Sequence, residues 1–238
     1  LLELGPIRWI HNGVVIATCA FTAYLFLIYL PSYIEGIDAW LTYVIVGAVI
    51  VLAVLSSTRL SVLRVLSLGS SSLFCLLILV AWLASDLGVA GLLDQLAGLT
   101  AYAANIDRFM LPLSEYHGFY LSWWFAWSIM IGQFVARFVN GMETWKLLIA
   151  ILVVPSMPIA LWFAVLYSYF AAGQAIAPWI MFAMVGVGML FVINSLDSLT
   201  RLYSQNLGLT VARLGLSRYV GMHVVILAGL VILYQFTP

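Results

Sequence analysis

Seven long apolar runs, separated by short polar segments, constrain this chain more than any other feature of its sequence. A hydrocarbon layer about 30 Å thick needs roughly 20 apolar residues per helix. We therefore expect transmembrane helices over residues 9–33, 40–57, 66–86, 118–138, 145–170, 176–196 and 219–236. The pattern predicts an all-α integral membrane protein whose residues 1–238 form a single transmembrane domain.

Composition supports a membrane protein and excludes a nucleic-acid-binding protein. Hydrophobic residues make up 65% of the chain and charged residues 8%. This composition predicts a protein embedded in the lipid bilayer. Nine basic and nine acidic residues give a formal net charge of zero. Because nucleic-acid binding requires a basic surface, we predict no nucleic-acid partner. Cys19 and Cys75 both lie in apolar runs, which is typical of small buried side chains and not of a disulfide framework or a metal site.

The segments between the spans carry charge of alternating sign. If the spans simply alternate, eight of the nine basic residues fall on one side of the membrane: Arg8, Arg59, Arg64, Arg137, Lys146, Arg201, Arg213 and Arg218. Basic residues favour the cytoplasmic side. We therefore expect a multi-pass protein of the inner (cytoplasmic) membrane, with a cytoplasmic N-terminus and an external C-terminus.

One connecting segment has a helical pattern of its own. Apolar residues recur at helical spacing around Leu92, Leu96 and Leu99, with polar residues such as Asp94 between them. This pattern predicts an external amphipathic helix over residues 90–112. Two kinds of role remain open for it: a surface lever or lid support, or a helix that simply covers the end of another helix.

No catalytic constellation is visible. His11, His117 and His223 are distant in sequence, and no paired metal-ligand spacing or phosphate-binding glycine loop occurs. We therefore predict that the protein is not an enzyme, and we interpret the histidines as structural. His11, near one end of the first span, is the one histidine for which a role in proton coupling stays open.

The strongest local signal is aromatic. Tyr120, Trp123, Trp124 and Trp127 stand at helical positions i, i+3, i+4 and i+7, and they form one stripe. A stripe of this kind is typical of an aromatic belt at the membrane interface. Alternatively, indole rings deeper in the bilayer could attract a quaternary ammonium group through their π faces. The spacing by itself leaves both interpretations open.

A second polar signal lies near the end of the sixth span. Asn194 and Ser195 are adjacent oxygen donors in an apolar helix, as expected of part of a sodium shell. The alternative is a polar helix end in which Asp197 and Arg201 form an i, i+4 ion pair.

These residues resemble a known family. Residues 119–128 read FYLSWWFAWS and residues 132–141 read GQFVARFVNG. Together they resemble the pattern FYxxWWxxWSxxxGxFxARxSxGR of the betaine/carnitine/choline transporter family. Residues 195–198, SLDS, are similar to the SADS sequence of that family. On this resemblance the seven spans correspond to helices five to eleven of the family.

The resemblance implies a partial inverted-repeat (LeuT-like) transporter fold that works by alternating access. It implies a small quaternary ammonium substrate (betaine, choline or carnitine), no cofactor, and Na⁺ or H⁺ as the coupling ion of a symporter. It also implies trimer contacts through the external helix, so that a homotrimer or other membrane subunits are expected as partners. By carry-over the substrate-binding residues are Tyr120, Trp123, Trp124 and Trp127, the ion-binding residues are Phe191, Asn194 and Ser195, and the cytoplasmic loop motif comprises Gly132, Arg137 and Gly141.

The departures from the family pattern leave two functions open. Asn194 stands where the sodium motif has Thr, and Met142 stands where the loop motif has Arg. No segment resembles the unwound glycine-rich helix of the family or the aromatic box that follows it. The chain is therefore expected to be either a transporter-like protein for quaternary ammonium compounds or a truncated, non-transporting paralogue that serves as a structural subunit of a larger membrane complex.

Overall fold

The structure, a computed structural model, consists of helices joined by short turns. It describes residues 5–109, 114–139 and 141–236, without the side chains at 102, 103, 109, 115–117, 119, 120, 122–124, 126, 134, 137 and 138. The helices are α1 (Gly5–Tyr33), α2 (Ala39–Ser56), α3 (Leu60–Leu83), α4 (Val89–Ala97), α5 (Leu99–Ala104), α6 (Glu115–Phe138), α7 (Thr144–Ala171), α8 (Pro178–Leu207), α9 (Val211–Leu214) and α10 (Leu216–Tyr234). A 3₁₀ turn follows α5 at Ile106–Phe109. No β-strand occurs in the described ranges, which agrees with the predicted all-α class.

Six of the described helices are long and apolar enough to cross a membrane, namely α1, α2, α3, α7, α8 and α10. The predicted span 118–138 falls on α6, which has 24 residues. A helix of that length extends about 36 Å. Many side chains of α6 lie outside the described residues, so the seventh span stays a prediction. The six spans confirm a multi-pass, all-α membrane protein.

Several helices extend beyond the apolar runs that predicted them. α3 begins at Leu60, before the predicted start at residue 66, and α8 continues to Leu207, well past the predicted end at residue 196. α8 ends where Gly208 takes a φ of +70°, a conformation that glycine adopts without steric cost. Hydropathy therefore located the helices, whereas backbone hydrogen bonding decides where each helix ends.

The predicted external helix at residues 90–112 is interrupted. α4 ends at Ala97, Gly98 separates it from α5, and the 3₁₀ turn follows. The side-chain amide of Asn105 donates to the carbonyl of Ala101 at 2.7 Å, and the same carbonyl accepts the main-chain N–H of Asn105 at 3.1 Å, a local side-chain bond of the kind found at helix ends. Residues 110–112 lie outside the described residues. The segment thus forms short helices where the sequence predicted one.

The chain divides into two compact units. The first unit comprises residues 1–73 and 181–238. Within it α1, α2 and α10 pack against one another pairwise. Ala20, Ala23 and Ala53 are completely buried in this unit, and side chains of this size let helix backbones approach closely. The larger buried residues include Val15, Leu30, Val49, Ile50, Leu227 and Val231.

The second unit comprises residues 74–180, with the rest of α3 and the helices α4 to α7. α4 packs against α7 in this unit. The Tyr169 hydroxyl on α7 donates to the carbonyl of Ala81 on α3 at 2.8 Å, and the Phe74 ring meets the Trp162 ring edge to face at 5.7 Å. Through these two contacts α3 packs against α7.

Candidate functional site

The aromatic stripe lies on one continuous helix. Tyr120, Trp123, Trp124 and Trp127 all fall within α6, so their i, i+3, i+4 and i+7 spacing places them on one face. The side chains of the first three residues lie outside the described residues. The Trp127 side chain is half-buried, whereas Phe125, on another face of the same helix, is 70% exposed.

The loop motif continues from α6 into the turn before α7. Gly132 lies in α6 and is exposed, and the side chain of Arg137 lies outside the described residues. Gly141 has a φ of +81°, in the left-handed region where a side chain would be strained. The turn between α6 and α7 therefore requires glycine at this position, which gives the motif glycine a backbone role.

The predicted ion-binding residues lie together on α8. Phe191, Asn194 and Ser195 are half-buried within α8. The Ser67 hydroxyl on α3 donates to Oδ1 of Asn194 at 3.0 Å. An amide oxygen has a second lone pair, so this bond leaves one position on Oδ1 for a cation. The amide and hydroxyl oxygens are ligands of the type that a hard cation prefers, but two of them do not complete a shell.

One turn further along α8, the structure contains a buried charged cluster that the ion-binding prediction did not include. Asp197 is completely buried, and its Oδ2 accepts a hydrogen bond from the Ser56 hydroxyl at 2.8 Å. Arg201 pairs with the other oxygen, Nη2 to Oδ1, at 3.2 Å. The same Nη2 donates to the main-chain carbonyls of Ser56 at 3.3 Å and of Arg59 at 3.2 Å. The i, i+4 pair considered from the sequence therefore exists, and it bridges α8 to the end of α2.

A second polar group joins α10 to the same region of α8. The Tyr203 hydroxyl and Nδ1 of His223 are 2.7 Å apart, and Nε2 of His223 lies 3.4 Å from the carbonyl of Leu209. Because both ring nitrogens have partners, His223 is a satisfied structural histidine, as the sequence suggested. The hydroxyls of Tyr219 and Ser57 are 2.8 Å apart, which ties α10 to the end of α2.

The sequence contained some signal for these buried groups. Asp197 directly follows the sixth apolar run, and Ser56 and Ser57 are the last residues of the second. Neither signal reveals that the two segments meet. Among the described residues, no three His, Cys, Asp or Glu side chains come together as a metal site.

With this geometry established, comparison with known proteins identifies the class. Residues 15–177 match the profile of the family described as BCCT, betaine/carnitine/choline family transporter. The chain therefore belongs to the betaine/carnitine/choline transporter family, which confirms the resemblance of the α6 motif. The matched region contains the aromatic stripe and the loop motif, and it ends before α8.

Individual relatives are similar over part of their length. The chain is 32% identical to a glycine betaine/proline/choline/ectoine transporter of Vibrio parahaemolyticus over 104 residues, which is 39% of this chain and 17% of the relative. It is 30% identical to the high-affinity choline transport protein of Escherichia coli K12 over 96 residues, 38% of this chain and 14% of the relative. An uncharacterized transporter of Mycobacterium tuberculosis is 30% identical over 76 residues, 28% of this chain and 13% of the relative. The matches thus span less than one fifth of each relative, and no solved structure matches the chain.

Proposed function

We propose that this chain takes part in the symport of a small quaternary ammonium compound, such as betaine, choline or carnitine. The observation that carries the proposal is the aromatic stripe of α6. Its residues belong to the family motif, and they lie on one face of a single helix. Alternating access on a LeuT-like scaffold is the mechanism that the family membership supports. The family is one of transporters, and we expect no enzymatic activity.

The stripe suits this substrate class for a physical reason. A quaternary ammonium group has no N–H with which to form a hydrogen bond, and its charge is spread over methyl groups. The face of an indole ring attracts such a charge through its quadrupole, by about 0.5–2 kcal/mol per ring depending on desolvation. Trp123, Trp124 and Trp127, with Tyr120, would supply several such faces along one helix.

Coupling to an ion is proposed at α8. Phe191, Asn194 and Ser195 would hold Na⁺ through the amide oxygen of Asn194 and the hydroxyl of Ser195, together with oxygens from other segments. H⁺ is the alternative coupling ion. In this proposal Ser67 acts on the site indirectly, because its hydroxyl orients the amide of Asn194.

The setting of the proposed transporter follows from charge and family. The excess of basic residues on one side supports an inner-membrane protein with a cytoplasmic N-terminus and an external C-terminus. In that orientation the motif of Gly132, Arg137 and Gly141 runs from the end of α6 into a cytoplasmic turn. A homotrimer, or assembly with other membrane subunits, is the proposed quaternary state.

The test is the binding of radiolabelled choline and betaine to the purified protein. We expect Trp127→Leu to weaken binding about tenfold or more, since one cation–π contact of about 1.4 kcal/mol corresponds to that factor. Trp40→Leu is the matched control, because Trp40 on α2 is 73% exposed and lies outside the stripe. It should bind as the unaltered protein does.

Two results would contradict the proposal. If the unaltered protein binds neither compound, or if Trp127→Leu and Trp40→Leu bind equally well, the stripe is not a substrate site. The alternative of a non-transporting subunit would then gain support, provided that other chains co-purify in a fixed ratio.

A further inference from the structure

The contacts of Arg201 differ from those of an ordinary arginine–carboxylate pair. Arginine typically binds a carboxylate through two parallel N–H donors of its planar fork. Here three oxygens converge on the single nitrogen Nη2: Oδ1 of Asp197 at 3.2 Å and the carbonyl oxygens of Ser56 and Arg59 at 3.3 and 3.2 Å. Nε of Arg201 is buried and has no hydrogen-bond partner among the described residues. The guanidinium group therefore acts at this point as a compact cation surrounded by oxygens.

The surrounding oxygens have the chemistry of a cation site. One is a carboxylate oxygen, and the carboxylate is further held by the Ser56 hydroxyl at 2.8 Å. The two carbonyls lie at the end of α2 and in the turn after it. Each accepts one main-chain N–H, Ser56 from Arg59 at 3.0 Å and Arg59 from Val62 at 3.2 Å, which leaves the second lone pair of each oxygen for Arg201. Carboxylate and carbonyl oxygens are the ligands that hard cations prefer. One carboxylate balances one positive charge, so the site suits a monovalent cation.

The site needs a cation for its own stability. Asp197 is completely buried, and a buried carboxylate without a counter-charge is strongly unfavourable. Within the described residues, Arg201 is the one basic side chain at ion-pair distance from Asp197. Because Asp197 and Arg201 share α8 while the two carbonyls belong to α2 and its turn, the same cation joins the two helices.

We propose that the oxygens of Asp197, Ser56 and Arg59 form a monovalent-cation site that Arg201 fills from within the chain. The guanidinium group takes the place of a free ion. The turn between α2 and α3 therefore stays packed against α8 with no free ion bound. This site is separate from the proposed ion-binding residues 191–195, and the inference does not depend on transport.

The experiment measures thermal unfolding of the purified full chain in buffers of equal ionic strength. The buffers contain sodium chloride, guanidinium chloride or N-methylglucamine chloride at about 100 mM, the last being too bulky to enter the site. We expect Arg201→Ala to lower the unfolding temperature by about 5–10 °C in N-methylglucamine. Sodium or guanidinium should restore at least half of that loss, because a ligand that binds only the folded state stabilises it.

Three further variants define the specificity of this rescue. Arg201→Lys keeps a cation on the same helix and should show little loss and no rescue. Asp197→Asn combined with Arg201→Ala removes both charges and should not respond to sodium. Arg218→Ala removes an exposed arginine of α10 and should behave as the unaltered protein in every buffer.

The proposal is overturned if Arg201→Ala unfolds at the same temperature in all three buffers. It is equally overturned if sodium stabilises the unaltered protein as much as the variant, since Arg201 would not then occupy the site. Should Arg201→Ala fail to accumulate, Arg201→Gln replaces it under the same criteria. Unfolding is measured without substrate. The experiment therefore tests the cation site even if the protein binds neither betaine nor choline.

Discussion

α6 and α8 both contain candidate functional residues, but those of α6 come from a sequence motif and the buried charged cluster of α8 from tertiary contacts. The residues of α6 were identified by a local motif, and the family comparison covers that helix. The Asp197–Arg201 pair of α8 lies beyond the matched region. The sequence suggested it only as an alternative to an ion site, and its contacts with Ser56 at the end of α2 became visible only in the structure. A substrate stripe can be encoded within one helix, whereas a buried ion pair depends on which other helix supplies its partners.

This difference leads to distinct expectations for substitutions in the two helices. Changes in the α8 cluster should mainly affect the free energy of unfolding, because the groups are buried and paired. Changes in the α6 stripe should mainly affect ligand affinity.

The largest effect is expected from Asp197→Ala. It leaves the charge of Arg201 without its buried partner, and we expect a loss of about 3–5 kcal/mol in the free energy of unfolding. Denaturant titration of helicity in detergent measures this. Asp94→Ala on α4, where the carboxylate is exposed, is the control and should leave stability unchanged. A loss for Asp197→Ala no larger than that of the control would contradict the assignment of a buried pair.

A smaller loss is expected from His223→Leu. The substitution leaves the Tyr203 hydroxyl and the carbonyl of Leu209 without their partner, at a cost of about 2 kcal/mol. Tyr203→Phe should cost about 1 kcal/mol by itself. If the contact is real, the double variant should lose less than the sum of the two single variants. Simple additivity would show that the two side chains do not interact.

The link between α3 and α8 can be tested with Ser67→Ala. Its hydroxyl donates to Asn194, and removal of this bond should cost about 1 kcal/mol of stability. Ser72→Ala, at an exposed position further along α3, is the matched control. If Ser67 also orients Asn194 for an ion, Ser67→Ala should change the sodium concentration that gives half-maximal uptake, and Ser67→Thr should restore it. An unchanged sodium dependence would limit Ser67 to helix packing.

The smallest effect, and the one that sharpens the α6 assignment, is expected from Trp127→Phe. Phenylalanine keeps an aromatic face but has a weaker quadrupole attraction than indole, so choline affinity should fall only about threefold. The measurement is the choline dissociation constant, beside that of Trp127→Leu. Equal losses for the two variants would mean that ring size matters and the π face does not.

Most of the fold class was predictable because it depends on segment composition. Long apolar runs such as residues 9–33 and 219–236 must form helices in a bilayer, since no other single segment satisfies its own backbone there. Helix ends were less predictable. α8 continues through Tyr203 to Leu207 because polar side chains find partners inside the protein, which hydropathy does not register.

The candidate sites show the same difference between what a local pattern predicts and what depends on contacts between helices. Trp127 and its companions were identified because an i, i+3, i+4, i+7 pattern is local to one helix. Asp197 was recognised only as part of an i, i+4 pair, and the Ser56 hydroxyl and the two carbonyls were missed. Main-chain carbonyls carry no sequence signature, so such ligands cannot be read from residue types.

The sequence by itself determined that this protein is a helical membrane protein of the betaine/carnitine/choline family, because apolar length and a local aromatic motif suffice for both conclusions. Only the tertiary structure decided that Asp197 and Arg201 meet the end of α2, about 140 residues earlier in the chain. In lipid both faces of a helix can be apolar, so periodicity does not reveal which face is buried or which helix it contacts. Packing alone determines which buried polar groups find one another.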